Sequence, residues 1–239
     1  MKRLFTAVPN AITIVNLLMG CVASVALINN NYKISILAVL IGLVADFLDG
    51  FVARLLKVQS ELGKQLDSLA DMITFGFYPG LIAFTALQDQ VPTNNSILFQ
   101  ILPYTGFLIT AASGIRLGIF NMSSSQGSAF IGLPTPANTL FWLSYPLLLL
   151  SKDNEIIQVS TESISWRTIV ALVFVSSFLL NSKLKLIALK FEDYRFSKNW
   201  EKYILLISSA LIILIFGLFS APFIITLYLL ISLIKTIQK

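Results

Sequence analysis

Residues 11–28 read AITIVNLLMGCVASVALI, a stretch without a single charged side chain. A helix of about 20 apolar residues is long enough to cross the hydrocarbon core of a bilayer. Two further charge-free stretches follow at 133–150 and 204–228, the second interrupted by Gly217 and by Ala221-Pro222. Soluble domains rarely contain such stretches, so the sequence predicts a membrane protein.

The rest of the chain has the same character, because 56% of its 239 residues are hydrophobic and only 12% are charged. The apolar stretches predict an all-α, polytopic membrane helix bundle. No long linker, repeat or low-complexity run separates them, so residues 1–239 are predicted to form one membrane domain. The eight candidate spans are 11–29, 34–55, 64–87, 97–120, 134–151, 166–182, 201–218 and 220–237.

Basic residues indicate how these spans are oriented. With the N-terminus in the cytoplasm, fourteen of the 17 Lys and Arg residues fall in cytoplasmic connections or termini. The outer side keeps only Lys33, Lys152 and Arg167. This bias predicts that both termini are cytoplasmic, in a multi-pass protein of the cell (inner) membrane. The first span lacks a cleavage site for a signal peptidase and is predicted to be retained.

Composition excludes several kinds of site. The sequence has no histidine, and its one cysteine, Cys21, lies within the first apolar stretch. A disulfide within the chain and a zinc site of several cysteines are therefore excluded. The net charge of +5 comes from residues between spans, which favours anionic lipid headgroups over nucleic acid as the counter-charge.

Four carboxylates interrupt the apolar pattern at Asp46, Asp49, Asp67 and Asp71. Asp46 and Asp49 share one helix face, and Asp67 and Asp71 share another. The intervening residues can reverse the chain, so the two faces can oppose each other at the cytoplasmic end of the second and third spans. A lone aspartate there could be a surface charge, but four together need compensating cations.

The donor set favours a hard cation. Without histidine or cysteine, oxygen ligands suit Mg²⁺ or Mn²⁺, which commonly share their coordination with substrate phosphates. Gly50, Ala53 and Gly63 would let a nucleotide approach the backbone closely, although ordinary helix packing also uses such residues.

These residues follow the spacing D-x2-D-G-x2-A-R-x8-G-x3-D-x3-D, which resembles the signature of the CDP-alcohol phosphatidyltransferase family. Its eight positions are filled by Asp46, Asp49, Gly50, Ala53, Arg54, Gly63, Asp67 and Asp71. The resemblance implies six core spans, here with about two extra C-terminal spans, and a pair of divalent ions held by the carboxylates and by the diphosphate of a CDP substrate.

The resemblance also implies a role for each residue. Asp46, Asp49, Asp67 and Asp71 would bind the metals, and Asp71 would also be the general base. Asp49, Gly50, Ala53, Arg54 and Gly63 would bind the CDP group. Lipid tails would lie between the spans, and homodimers are common among related enzymes.

Three further stretches resemble the branch of the family that uses serine as acceptor. They are residues 8–16, residues 66–76, and residues 116–121 with 132–137. That branch commonly has Ser where this chain has Thr74 and Ala where it has Gly118. The resemblance implies transfer of a phosphatidyl group from CDP-diacylglycerol to the hydroxyl of L-serine, giving phosphatidylserine and CMP.

Arg116 and Asn121 are the candidate acceptor-binding residues, because a guanidinium can hold a carboxylate by paired hydrogen bonds. Arg116 is equally well explained as a cytoplasmic anchor of its span. Lys57, Lys64 and Arg116 leave glycerol 3-phosphate or inositol phosphate as alternative acceptors. A cation transporter is the alternative from another class, since ion pathways also use carboxylates within the membrane.

Overall fold

The computed structural model describes residues 2–58, 60–92, 96–122, 130–151, 164–187 and 196–237. Nearly all of them are helical, which confirms the predicted all-α class. The only strands among them are Phe130–Ile131 (β1) and Lys185–Leu186 (β2), which pair antiparallel.

The first two helices form a hairpin. Helix α1 spans Lys2–Ile28 and α2 spans Tyr32–Leu55. The turn between them uses Asn30 in the left-handed region, with φ of 56°, and Asn31, whose side chain accepts a hydrogen bond from the Ile34 amide. The two helices pack along their length, and the Ser35 hydroxyl donates to the Ala23 carbonyl oxygen at 2.8 Å.

The third span is a continuous helix with one irregular segment. Helix α3 (Glu61–Asp71) begins at Ser60, whose side chain caps the Gly63 amide, and continues through a π-helical turn (Met72–Phe77) into α4 (Tyr78–Gln90). The predicted span 64–87 is therefore correct in place and slightly short. The π-helical turn begins directly after Asp71, the last residue of α3.

The fourth and fifth spans each contain a break at a proline. Helix α5 (Ile97–Ile101) leads through a 3₁₀ turn (Leu102–Gly106) into α6 (Phe107–Met122). Helices α7 (Thr135–Trp142) and α8 (Ser144–Leu150) are separated at Leu143. Pro146 has no amide hydrogen to bond the Trp142 carbonyl, which explains the second break.

The last helices are α9 (Trp166–Asn181), α10 (Phe196–Phe216) and α11 (Ala221–Ile237). A short 3₁₀ turn at Gly217–Ser220 joins α10 to α11. Helix α9 belongs to the main core, where Ile169, Val173 and Leu180 are buried. Helices α10 and α11 contribute to a smaller cluster of Ile187, Leu205 and Ile231.

The outside of the bundle is apolar, as a bilayer requires. Helix α2 exposes Ile34, Leu37, Ile41, Val44 and Leu48, which follow helical spacing and are between 41% and 57% exposed. Five helical segments are long and apolar enough to cross a membrane, and two shorter apolar helices accompany them. The chain is therefore a multi-pass membrane protein, while the predicted number of eight spans stays a prediction.

Candidate active site

A cavity of about 650 Å³ lies between the ends of α1, α2 and α3. Helix α2 contributes Asp46, Asp49, Gly50 and Ala53 to its wall. Helix α3 and its cap contribute Ser60, Glu61, Gly63, Lys64 and Asp67. The reversal of the chain between α2 and α3 thus brings the two predicted faces together.

Three of the four predicted carboxylates meet in this cavity. Asp46, Asp49 and Asp67 each present an oxygen atom, and these atoms all lie within 4.8 Å of one another. Asp49 is buried, with 6% of its surface exposed. Asp71 lies outside this group of three, one helical turn beyond Asp67, with its carboxyl group beside that of Asp46.

The donor set fits a divalent cation. All three groups are carboxylates, and Glu61 adds a fourth acidic side chain to the wall, whereas Lys64 is the only basic one among the described residues that line the cavity. This excess of negative charge needs cations, and oxygen donors suit a hard one. The residues present therefore match what the family resemblance implies at this place.

Helix α1 forms the third wall through Pro9, Asn10 and Thr13. The Thr13 hydroxyl lies 2.6 Å from Asp49 Oδ2 and 3.0 Å from the Pro9 carbonyl oxygen. A hydroxyl has one hydrogen to donate, and the shorter contact to a carboxylate is the stronger. Thr13 therefore orients Asp49.

Asp71 is held from α1 as well. The side-chain amide of Asn16 points its Nδ2 towards Asp71 Oδ1 at 3.4 Å. The Thr74 hydroxyl, on the π-helical turn, donates to the Asn16 carbonyl oxygen at 3.0 Å. The turn that follows Asp71 is thereby joined to the same residue of α1.

Threonines on two other helices bond to the π-helical turn. The Thr110 hydroxyl of α6 donates to the Gly76 carbonyl oxygen at 3.2 Å. The Thr139 hydroxyl of α7 lies 2.9 Å from the carbonyl oxygen of Thr135 in its own helix and 3.2 Å from that of Phe75 in the turn. A π-helical turn disturbs the regular carbonyl pairing of a helix, and side-chain hydroxyls can restore it. Three helices therefore hold the backbone next to Asp71.

The glycines of the motif differ in their surroundings. A Cβ atom added at Gly50 would have no neighbour within 4 Å, so helix packing does not explain this glycine. A Cβ atom added at Gly63 would lie 2.9 Å from Asn10 Oδ1, so Gly63 is in close contact with α1. Gly50 leaves room in the cavity, and Gly63 allows α3 to approach α1.

Arg54, like Asp71, is a motif residue that does not line the cavity. Its side chain is exposed at the end of α2 and does not line the cavity wall. Its place in the helix explains this, because Arg54 is displaced by about 100° from the face that carries Ala53.

The two candidate acceptor residues also lie outside the cavity wall. The Asn121 side chain donates to the Ser68 hydroxyl at 2.7 Å, and the Lys64 ammonium group donates to the Asn121 carbonyl oxygen at 3.0 Å. Asn121 therefore joins the end of α6 to α3. Arg116 is half-buried one to two turns earlier on α6.

The residues that α1 supplies to the cavity wall were not among the predicted site residues. Asn10, Thr13 and Asn16 recur every third residue within an apolar helix, and they are the signal that could have identified this wall. Polar side chains at this spacing cover one side of a helix, and in a membrane helix such a side faces other protein groups.

The fold and this cavity define a class, namely multi-pass membrane proteins with an acidic cavity formed by their first three spans. A sequence model described as CDP-alcohol phosphatidyltransferase matches residues 6–176. Because this match covers more than half of the chain, the chain belongs to the CDP-alcohol phosphatidyltransferase family. The matched region ends within α9, so α10 and α11 lie beyond it.

Several curated relatives have names that agree with this family. The chain is 35% identical over 133 residues to a CDP-diacylglycerol--serine O-phosphatidyltransferase of Bacillus subtilis (54% of this chain, 69% of that protein). It is 31% identical over 169 residues to the Helicobacter pylori protein of the same name (69% and 66%). It is 30% identical over 135 residues to an archaetidylserine synthase of Methanothermobacter thermautotrophicus (55% and 54%). The alignment spans about half of the mycobacterial relatives (46%).

Proposed function

We propose that this protein transfers a phosphatidyl group from CDP-diacylglycerol to the hydroxyl of L-serine, giving phosphatidylserine and CMP. The observation that carries the proposal is the meeting of Asp46, Asp49 and Asp67 in one cavity, with Asp71 beside Asp46. The names of the relatives support serine as the acceptor.

Asp46, Asp49 and Asp67 would hold divalent cations, Mg²⁺ or Mn²⁺, and Asp71 would complete the ligand set for a pair of ions. When bound, such ions neutralise a diphosphate and stabilise a CMP leaving group. The open space over Gly50 and Ala53 would receive the nucleotide, with Gly63 at its edge. Arg54, exposed beside this opening, would contact the CDP group only after its flexible side chain turns inwards.

Asp71 is proposed as the general base. The serine oxygen would form a bond to the phosphorus that carries diacylglycerol, and the bond from that phosphorus to CMP would break. The proton of the serine hydroxyl would pass to the Asp71 carboxylate as the new bond forms. The contacts of Asp71 with Asn16 and of Thr74 with the Asn16 carbonyl would keep this carboxylate in place.

Glycerol 3-phosphate and inositol phosphate are less well supported as acceptors. A phosphate on the acceptor calls for several basic groups, but Lys64 is the only one among the described residues that line the cavity. Arg116 and Asn121 would bind serine only from the adjoining surface of α6. A cation transporter would place carboxylates along a route through the membrane, whereas these carboxylates gather at one end of the bundle.

The protein is proposed to lie in the cell (inner) membrane with both termini and the cavity on the cytoplasmic side. CDP-diacylglycerol, L-serine and the surrounding lipids would then be its partners, and a homodimer is the assembly that related enzymes suggest. Residues 1–239 would act as one membrane domain.

The proposal is tested by CMP release from CDP-diacylglycerol in detergent with Mn²⁺. Serine, glycerol 3-phosphate, inositol phosphate and no acceptor are compared, with wild type beside Asp71→Asn and Asp67→Asn. We expect serine-dependent release that falls at least about 100-fold in both variants. Release with another acceptor would overturn serine, and no release with any acceptor would overturn the enzyme.

A further inference from the structure

We propose that Asn16 is a positioning residue for the carboxylate of Asp71, a role that rests on the proposed function. Asn16 lies in the charge-free part of α1 and is fully buried. A primary amide in such surroundings needs hydrogen-bond partners, since burying it without them is costly. Its Nδ2 has Asp71 Oδ1 as a partner at 3.4 Å.

The orientation of this amide follows from its surroundings. The Asn16 Oδ1 atom is buried and has no partner among the described residues. Turning the amide over would place this oxygen against the Asp71 carboxylate, where two acceptors repel each other. The observed orientation therefore keeps the Nδ2 donor on Asp71, although it leaves the Oδ1 acceptor of Asn16 without a hydrogen bond.

The backbone of Asn16 also contacts the turn that follows Asp71. Its carbonyl oxygen accepts the Thr74 hydroxyl from the π-helical turn. A Cβ atom added at Gly42 of α2 would lie 3.2 Å from Asn16 Oδ1, so the side chain has little room to move. One residue of α1 therefore contacts both the Asp71 side chain and the turn that follows it.

Thr13 performs a comparable role one turn earlier. It donates to Asp49, whereas Asn16 donates to Asp71. Thr13 would act through Asp49, which is proposed to bind metal only, whereas Asn16 would act through Asp71, which is also the proposed base. The two positions should therefore affect different kinetic quantities, which makes the role of Asn16 testable.

The test measures Asn16→Ala with whichever acceptor supports CMP release by the wild-type protein. We expect kcat at saturating Mn²⁺ to fall about tenfold, with the half-saturating CDP-diacylglycerol concentration changed less than about twofold. Ser24→Ala is the matched control, because Ser24 is buried on the same helix and donates only to the Gly20 carbonyl oxygen. It should keep the wild-type kcat.

A double-mutant cycle separates positioning from a general structural effect. If Asn16 acts through Asp71, Asn16→Ala should lower the residual rate of Asp71→Asn by less than about twofold. An equal loss in both backgrounds, or a kcat like that of the wild type, would overturn the role of Asn16 alone. If Asn16→Ala does not fold, the similarly sized Asn16→Leu, which lacks the donor, replaces it in the same cycle. A wild-type protein inactive with every acceptor would overturn the proposed function as well.

Discussion

Individual hydrogen bonds from α1 decide how the carboxylates of this site are presented. Asp49 would have several rotamers open to it at the end of a helix, but the Thr13 hydroxyl lies 2.6 Å from its Oδ2. Partners of this kind orient metal ligands and tune their affinity. Because Thr13 is itself buried, water could not readily replace this hydrogen bond if the hydroxyl were removed.

Replacing Thr13 with valine should weaken metal binding while leaving the helix intact. Valine has nearly the same shape but no hydroxyl, so Asp49 loses its partner. We expect the Mn²⁺ concentration for half-maximal activity to rise about tenfold or more. A Mn²⁺ titration of CMP release measures this change.

Thr226→Val is the control for this substitution. Thr226 lies in α11 and donates to the Pro222 carbonyl oxygen four residues earlier, as Thr13 can donate to that of Pro9. It should leave the Mn²⁺ dependence unchanged. Equal shifts in both variants would show that threonine bonds to helix carbonyls, and not the contact with Asp49, account for the effect.

At the scale of helices, close contacts between backbones hold the third and fourth spans together. A Cβ atom added at Gly106 would lie 2.5 Å from the Phe84 amide nitrogen and 2.9 Å from the Gly80 carbonyl oxygen. These are backbone atoms of α4, which cannot move aside as a flexible side chain can. Small residues allow membrane helices to approach in this way.

Gly106→Ala should therefore destabilise the protein by about 1–3 kcal/mol, because the two spans must separate to accept the methyl group. Thermal unfolding in detergent, followed by the fraction that remains monodisperse, measures this loss. Gly118→Ala, in the same span but with no neighbour within 4 Å, should be neutral or slightly stabilising. A stable Gly106→Ala protein would contradict the close approach.

At the scale of the whole molecule, the last two helices are attached to the segment that follows α9. The Ile187 amide donates to the Ser232 hydroxyl at 3.3 Å, and the Tyr228 hydroxyl donates to the Ile187 carbonyl oxygen at 3.0 Å. Lys235 and Glu201 form an ion pair between α11 and α10. Strand β2, next to Ile187, pairs with β1 before α7, so α11 is linked to the entry of the fifth span.

The orientation of the molecule gives a prediction that uses its single cysteine. In a Cys21→Ser background, Lys33→Cys and Lys57→Cys place one thiol at each end of α2, about 36 Å apart. An impermeant maleimide should label Lys33→Cys in intact cells and Lys57→Cys only after permeabilisation. The reverse pattern would place the acidic cavity outside the cytoplasm.

The local properties of the residues were sufficient to predict much of the fold and the composition of the site. Hydropathy predicted most helix ends to within a few residues, because a bilayer selects apolar stretches of a given length. The exceptions are the starts of α1 at Lys2 and of α10 at Phe196, which lie well before the predicted positions 11 and 201. The spacing of Asp46, Asp49, Asp67 and Asp71 indicated two acidic helix faces, because the period of a helix is known in advance. The residue types also predicted oxygen donors for a metal ion, because the sequence has no histidine and only one cysteine.

Tertiary structure decided which of these groups meet. Asp46, Asp49 and Asp67 converge, with Asp71 beside Asp46, because the crossing of α2 and α3 sets distances that spacing along one chain does not contain. The contacts of Thr13 and Asn16 join residues 36 and 55 positions apart. In the π-helical turn at Met72–Phe77, two carbonyl oxygens contact threonine hydroxyls of other helices. Such contacts arise only when separate helices pack, because the two partners belong to different helices.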